Sequence, residues 1–496
     1  MFPLVARGGF SSSRATAGVT SSICTIVLEQ TERTRQSSKA DIEQLIEKTQ
    51  LKIASLQSQI ERERAIAAAL RYIISPVRAL PVELLAEIFV LAIRDCTHIT
   101  DVLRLSQVCS DWRQVAHSTP RLWTGPIRVN LSHKKSDLGE VYAEGLKAWL
   151  ARSAPHLVQC VSLVQCPTED PRSRILAEVL KTSARWRNLD LVSTPLWLAI
   201  RVAECKWDSL DELFLGIMGP NTSHLDSLSF TVPRLRKLDI NIRSNDPHIL
   251  MPWAQLTDLH LDSDYPDSAL DIIVQCADLV KAVFSICGWR KLPKARRDNH
   301  ILSRLRSLAL VFFGSAGYVA PFLDCISAPV LEELCFDFEY MDGRIDWAAA
   351  HLPAFQMRAP NLARLDLRHT TLQPVDLVDI LRCAPALTHL KLSSCRDCFD
   401  DTLIRSLHYK KGVKPLVPRL HNLILQDIFE IFTPKILADM LTSRWWTNAE
   451  LKSFSAPPAV ARWTLFHVQG DHCSENFADI MEGLQNNGLP IEFYTI

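Results

Sequence analysis

The stretch Leu362-Ala-Arg-Leu-Asp-Leu367 is followed by a similar stretch, Leu387-Thr-His-Leu-Lys-Leu392, with leucine at the same first, fourth and sixth positions. Close variants of this phrase occur ten times in order, and their starts are 21 to 33 residues apart. They are Trp186–Leu191, Leu210–Leu215, Leu235–Ile240, Leu256–Leu261, Leu279–Phe284, Leu305–Leu310, Leu331–Phe336, Leu362–Leu367, Leu387–Leu392 and Leu420–Leu425. Two weaker relatives, Val158–Leu163 and Leu451–Phe454, would start and extend the series. A phrase repeated at this period predicts a stack of similar structural units.

The repeating phrase resembles that of leucine-rich repeats. The resemblance implies one short strand per unit, a parallel sheet on a concave face and return helices outside, over residues 125–496. The return segment 374–383 has helical spacing. At the ladder position that usually holds Asn or Cys, Cys395 fits the pattern and Thr370 departs from it. We therefore predict an irregular solenoid.

Side chains alternate along a strand, so residues between the leucines should face the concave side. This lining runs from acidic through an apolar middle to acidic and then basic. A varied lining suits recognition of a protein partner, although a solvated sheet face is the alternative. The candidate target-binding residues are Phe214, Asp258, His260, Val311, Glu333, Asp337, Arg364, Arg368, His389 and Lys391.

A second informative segment lies upstream, at residues 76–124. Pro81 suits the first turn of a helix, and apolar residues from Leu84 to Ile93 cover about 200° of that helix, more than the ~100° stripe needed to pack on one core. An amphipathic stretch follows from Leu103 to Ala116, and Leu122-Trp123 closes the segment. A unit this small buries little surface. Its two-sided apolarity predicts a docking module.

The order Leu80-Pro-x-Glu-Leu-Leu-x-x-Ile-Phe89, then Leu103-x-Leu-Ser-x-Val-Cys-x-x-Trp-Arg113, then Pro120-x-Leu-Trp123 resembles an F-box. The segment between the first two helices, 94–101, is longer than in the shortest F-boxes. The resemblance implies a three-helix module that binds the Skp-type adaptor of a cullin-type (SCF) ubiquitin ligase. An internal core role is the alternative for each candidate residue. The candidates are Leu80, Pro81, Leu84, Leu85, Ile88, Phe89, Val108, Cys109, Trp112 and Trp123.

Residues 39–75 are helical in pattern, with Ile46, Ile53 and Ile60 at seven-residue spacing. This heptad seam predicts either a coiled-coil dimer or a helix folded back on its own domain. Ser75-Pro76 should end the helix. Residues 1–38 are rich in Ser, Thr and Arg, which fits a disordered tail or a transit peptide. The predicted fold class is therefore α + α/β, with a helical coiled-coil segment, an F-box and a repeat solenoid.

Composition excludes several function classes. Hydrophobic residues make up 47% of the 496 residues, and 55 basic residues balance 55 acidic ones, so the chain lacks the overall charge of a nucleic-acid-binding protein. The apolar runs are too short for a membrane span. The scattered cysteines favour free thiols in a reducing compartment of the cell, so we expect a cytoplasmic or nuclear protein.

Catalytic motifs are missing from the sequence. The chain has no phosphate-binding Gly loop, no Gly-x-Ser-x-Gly and no His-Glu-x-x-His. Cys395 and Cys398 form a lone Cys-x-x-Cys pair, and zinc needs a second pair of ligands. Asp471-His472-Cys473 are adjacent and cannot generally face one another. The basic run at 289–297 is a solvated loop, a nuclear address or an acidic-partner contact. We expect a non-catalytic protein with no cofactor or metal.

Overall fold

A computed structural model describes residues 36–93, 99–132, 137–167, 174–218, 226–243, 248–263, 266–287, 300–315, 319–342, 352–395, 397–427, 431–470 and 474–495. The chain divides into two compact units, residues 1–85 and residues 86–496. The predicted tail lies almost wholly outside the described residues, as do the basic run at 289–297 and Asp471-His472-Cys473.

The first unit is dominated by one long helix, α1, at Gln36–Ile73. No Gly or Pro interrupts this stretch, and a 3-10 helix at Pro76–Ala79 follows it. Ser75, the residue before that proline, has extended dihedrals, as the sequence predicts. The seam residues Ile46, Ile53 and Ile60 are each about half exposed. Dimerisation through this seam stays a prediction.

Helix α2, Val82–Ala92, begins in the first unit and continues into the second. Two short helices follow, α3 at Ile99–Gln107 and α4 at Ser110–Ser118, and then a 3-10 helix at Pro120–Trp123. Cys109 caps α4, because its sulfur accepts a hydrogen bond from the Trp112 backbone N–H.

A fourteen-stranded parallel sheet forms most of the second unit within the described residues. Its strands follow one another in chain order, so each pairs only with its neighbours in the sequence of repeats. In this order they are β1 Ile127–Asn130, β2 Val158–Val164, β3 Trp186–Pro195, β4 Glu212–Met218, β6 Lys237–Ile242, β8 Asp258–Ser263, β9 Lys281–Cys287, β11 Ser307–Ser315, β13 Glu333–Asp342, β14 Arg364–Arg368, β15 His389–Ser393, β16 Asn422–Gln426, β17 Leu465–Gly470 and β18 Ile491–Thr495. Four short strands form two separate pairs, β5 Ser227–Ser229 with β7 His248–Leu250, and β10 His300–Ile301 with β12 Ile326–Ser327.

Helices return the chain from strand to strand in most repeats. They are α5 Asp137–Arg152, α6 Arg174–Leu180, α7 Leu196–Ala203, α8 Pro266–Ile273, α9 Val319–Asp324, α10 Leu352–Met357, α11 Pro374–Arg382, α12 Asp401–Leu407, α13 Pro434–Ser443, α14 Asn448–Ser453 and α15 Glu475–Asn486. Their buried residues, such as Leu377 and Leu403, form the core together with the strand leucines. The predicted helical stretch at 374–383 is confirmed as α11.

The repeating phrase is confirmed as the strand signal. In most repeats the strand begins two residues after the first leucine of the phrase, and the later leucines, such as Leu365 and Leu367, are buried. Val158–Leu163 is also a strand, within β2. The extension at Leu451–Phe454 is wrong. Residues up to Ser453 belong to helix α14, whose first turn is fixed by a capping box between Thr447 and Glu450.

Arginine side chains join successive repeats, and one of them, Arg444, is fully buried. The Arg444 side chain donates hydrogen bonds to the carbonyl oxygens of Leu407, Leu416 and Val417, and its guanidinium lies 5.6 Å from the Trp463 ring centre. Burial lowers the pKa of Arg444 to about 10. Leu407 is the last residue of α12, so this arginine satisfies a carbonyl that the helix leaves open.

The same arrangement recurs twice. Arg185 donates to the carbonyl oxygens of Leu150 and His156, and Arg358 donates to those of Leu323 and Ile326. In each case an arginine that follows the helix of one repeat donates to a carbonyl oxygen in the last turn of the helix of the preceding repeat. These three side chains, Arg185, Arg358 and Arg444, are called the arginine staples below.

Candidate functional site

The first candidate surface lies in the segment that resembles an F-box. Within the first unit, Leu84 is 54% exposed, Pro81 is exposed, Leu80 is half-buried and Leu85 is buried. In the second unit, Ile88 is 46% and Val108 55% exposed. The exposed members of the predicted adaptor-binding set are therefore Pro81, Leu84, Ile88 and Val108.

The remaining members of that set support the helices. Phe89 is buried and its ring centre lies 4.8 Å from that of the half-buried Trp112. Cys109 is half-buried and caps α4. These side chains hold α2 and α4 together, so they position a surface rather than form one.

Trp123 joins this segment to the solenoid. It is fully buried, and its indole N–H donates to the Ala116 carbonyl oxygen at 2.7 Å. Its ring meets the edge of Trp149 at 4.6 Å between centres, and the Arg152 guanidinium lies 4.7 Å from its centre. Trp123 thus connects the end of the helical segment to α5, the first helix of the solenoid.

The second candidate surface is the polar face of the sheet, defined as the side chains that alternate with the buried leucines. The register aligns them in rows across the strands. One row runs from Glu212 through Lys237, Asp258 and Lys281, and continues with Ser307, Glu333, Arg364 and His389. All ten predicted target-binding residues lie on this face.

Ion pairs occupy much of the later half of the polar face. Glu333 binds Arg364 at 2.6 Å, Asp366 binds Arg368 at 2.6 Å, and Asp337 lies 2.9 Å from His369 Nδ1. Burial and the nearby Arg364 charge lower the pKa of His389. Lys391 and Val311 lie half-buried on neighbouring rows. Charges of opposite sign therefore neutralise one another in this half.

The earlier half contains a cavity of about 540 Å³. Its walls come from β2 to β9, and they bring together three of the predicted residues, Phe214, Asp258 and His260. Asp190, Glu212, Asp239 and Lys237 also line it. Asp190 lies outside the predicted set, although it follows the same alternation, one strand before Phe214.

Cys395 and Cys398 lie close together, and the hydrogen bond from Cys398 lowers the pKa of Cys395. Both are buried, and Cys395 Sγ donates to the Leu367 carbonyl oxygen on the preceding strand at 3.1 Å. This hydrogen bond links Cys395 to the neighbouring repeat, as expected of a ladder residue. Among the described residues, no group of three or more His, Cys, Asp or Glu is placed to hold a metal ion. Nor does any helix in the described part combine the length and apolarity needed to cross a bilayer.

Comparison with known proteins gives one family match. Residues 77–128 match the F-box-like family. No curated protein is significantly similar to the chain. Among solved structures, a chain in the crystal structure of the mouse RP105/MD-1 complex matches with 14% sequence identity and a TM-score of 0.30. That match covers 70% of this chain and 61% of that chain, so it spans less than two thirds of the other protein, and it supports no functional argument. The chain therefore carries an F-box-like domain at residues 77–128, followed by a solenoid of parallel strands.

Proposed function

We propose that this protein is a substrate-recruiting adaptor of a cullin-type ubiquitin ligase. The F-box-like domain would bind a Skp-type adaptor, and through it a cullin, while the polar face of the solenoid would hold a target protein. Other subunits would transfer ubiquitin. The observation that carries this proposal is the family match over residues 77–128, where apolar side chains remain exposed. We further propose that the assembly works in the cytoplasm or the nucleus.

The physical contribution of such a chain is proximity. Holding a target beside a loaded conjugating enzyme raises the effective concentration of its lysines. This role needs no catalytic residue in the chain itself. Trp123 supports this role, because its contact with Trp149 packs the end of the F-box-like domain on the first helix of the solenoid.

Co-purification of the full-length chain with a purified Skp-type adaptor and cullin tests the proposal. We expect a ternary complex with the wild type. Leu84→Asp and Val108→Asp, made separately, should each weaken adaptor binding at least tenfold, because each places a charge in an apolar interface. Val141→Asp is the matched control, since Val141 is 70% exposed but lies on α5 in the solenoid. Adaptor binding that survives both variants would refute the assignment of this surface.

A second candidate function is a protein-interaction scaffold that never enters a ligase and assembles through residues 39–75. The exposed heptad seam of α1 favours this alternative. Recovery of cullin with the full-length chain from cells discriminates between the two functions, since a scaffold would bring down no cullin.

A further inference from the structure

The cavity on the early half of the polar face differs from the rest of that face in charge. Four carboxylates line it, those of Asp190, Glu212, Asp239 and Asp258, against the two lysines Lys237 and Lys281. Two negative charges therefore remain when His260 is neutral. The field of such a concave, one-sided charge attracts a cation.

The carboxylates are not equally available. Glu212 is fully engaged, because it accepts a hydrogen bond from Asn188 at 2.8 Å and binds Lys237 at 2.7 Å. Asp239 holds His260 Nδ1 at 2.7 Å through one oxygen. Asp258 accepts from the hydroxyl of Thr257 at 2.8 Å.

Asp190 is the exception. Its Oδ2 accepts a hydrogen bond from the Ser162 hydroxyl at 3.1 Å, while its Oδ1 is buried and has no hydrogen-bond partner. A buried carboxylate oxygen without a donor is costly, so such a group calls for a partner. Asp190 lines the cavity, so a donor bound there reaches this oxygen once the carboxylate turns about its terminal bond.

The neighbour of Asp190 across the sheet is Phe214, and the next residue in the row is Asp239. Adjacent strands lie about 4.8 Å apart, so the two carboxylates flank the aromatic ring on either side. Phe214 is 38% exposed and lines the cavity, so its ring is accessible to a bound group. An aromatic face between two carboxylates suits a planar cation, which stacks on the ring and donates in its own plane.

We propose that this cavity binds an arginine side chain of the target protein, presented by an extended basic segment. The guanidinium donates to the Asp190 carboxylate and stacks on Phe214, and Asp239 supplies the second negative charge. Arginine fits better than lysine, because its planar fork can bond a carboxylate and stack on a ring at once. The open row of polar side chains continuing to β9 accommodates the flanking residues of the segment. This inference rests on the proposed function, since it gives the chemistry of the target that the solenoid would recruit.

The test uses the immobilised full-length chain and phage-displayed random dodecapeptides, with no adaptor or cullin present. We expect the selected peptides to be enriched in arginine. The best peptide should then bind in fluorescence polarisation at least tenfold more tightly than the same peptide with citrulline, a neutral isostere, in place of that arginine.

Asp190→Asn keeps the bond to Ser162 but removes the charge, and Phe214→Leu keeps the apolar contact but removes the ring. Each should weaken peptide binding about tenfold. Asp479→Asn makes the same change of side chain at an exposed position of α15, outside the polar face, and should leave binding unchanged. The proposal would be overturned if no peptide is selected or if the selected peptides are not enriched in arginine. It would also be overturned if the citrulline peptide binds equally well or if Asp190→Asn has no effect. Because ligase subunits are absent, this result is independent of whether the chain enters a ligase.

Discussion

Asp239 Oδ2 lies 2.7 Å from His260 Nδ1, on the next strand of the sheet. This hydrogen bond, and to a smaller extent the charges of Asp239 and Asp262, raise the pKa of His260 against the opposing effect of burial. The imidazole therefore keeps its proton to a higher pH in the folded protein than in the unfolded chain.

The His260 pair predicts a stability that depends on pH. Because the folded pKa is raised, the contribution is fully present below the unfolded value of about 6.5 and is lost as pH rises through the folded pKa. Urea unfolding of the wild type and of His260→Gln should show their largest difference near pH 6 and a smaller one near pH 8.5. His389 is the internal comparison, since its pKa is lowered and its substitution should show the opposite trend. A pH-independent difference at His260 would contradict the pairing.

Arg444→Met should be strongly destabilising. The substitution leaves several buried carbonyl oxygens without donors, at a cost of about 3 kcal/mol or more in the free energy of unfolding. Arg382→Met is the matched control, because Arg382 is an exposed helix residue paired only with Asp379 among the ion pairs described, and should change stability by about 0.5 kcal/mol. Chemical denaturation of both variants checks the difference. Equal effects would mean that the arginine staple adds nothing.

Phe89→Ala and Ile88→Ser change adjacent residues, but they should differ strongly in their effect on the free energy of unfolding. Phe89 is 1% exposed and packs on Trp112, so its truncation should cost about 3–5 kcal/mol. Ile88 is 46% exposed, and its substitution should stay within about 0.5 kcal/mol. Unfolding midpoints of the two full-length variants provide the measurement. A large loss at Ile88 would show that its side chain is needed for folding and would weaken its assignment to a binding surface.

Trp123→Ala should loosen the F-box-like domain from the solenoid. It removes a fully buried ring together with its bond to Ala116 and its contact with Trp149, at a cost of about 3–5 kcal/mol. Limited proteolysis should then cut near residues 124–126 faster than in the wild type, while Trp123→Phe, which keeps most of the packing, should give an intermediate rate. Unchanged cleavage in Trp123→Ala would contradict this connection.

Self-association through α1 is a separate expectation. Isoleucines recur at one seam position, and Leu56 and Leu70 occupy the other, an arrangement that favours two-stranded coiled coils. Sedimentation of the full-length chain should give a dimer, and Ile53→Asp should shift it towards the monomer. Leu51→Asp, off the seam at 67% exposure, should leave the dimer intact. If the wild-type chain sediments as a monomer at high concentration, the prediction of a dimer is contradicted.

The sequence predicts the solenoid because its leucines recur at fixed positions, and it fails where other residues replace them. Strand β17 follows the same spacing with Trp463, Phe466 and Val468, and a search for leucine overlooks it. Strand β1 has only Ile127 and Val129 in place of the phrase. The short phrase at Leu451 predicts a strand, but the Thr447 capping box starts a helix that includes it.

The binding surfaces are harder to predict from the sequence than the strands are. Alternation predicts that Phe214, Asp258 and His260 lie on the polar face, as the register shows, but it does not reveal that Asp190 has a buried oxygen without a partner. That property depends on which neighbours reach each oxygen, and it requires coordinates. The arginine staples had no sequence signal either, because Arg185, Arg358 and Arg444 stand at different distances from their next strands.

The strict chain order of the fourteen strands has a consequence for how the molecule unfolds under heat or mechanical force. No strand from one end pairs with a strand from the other, so rupture of a single middle repeat would leave two blocks that each keep their own neighbours. Heating should then melt the molecule in steps, and stretching should release it block by block, with the weakest junction setting the first event.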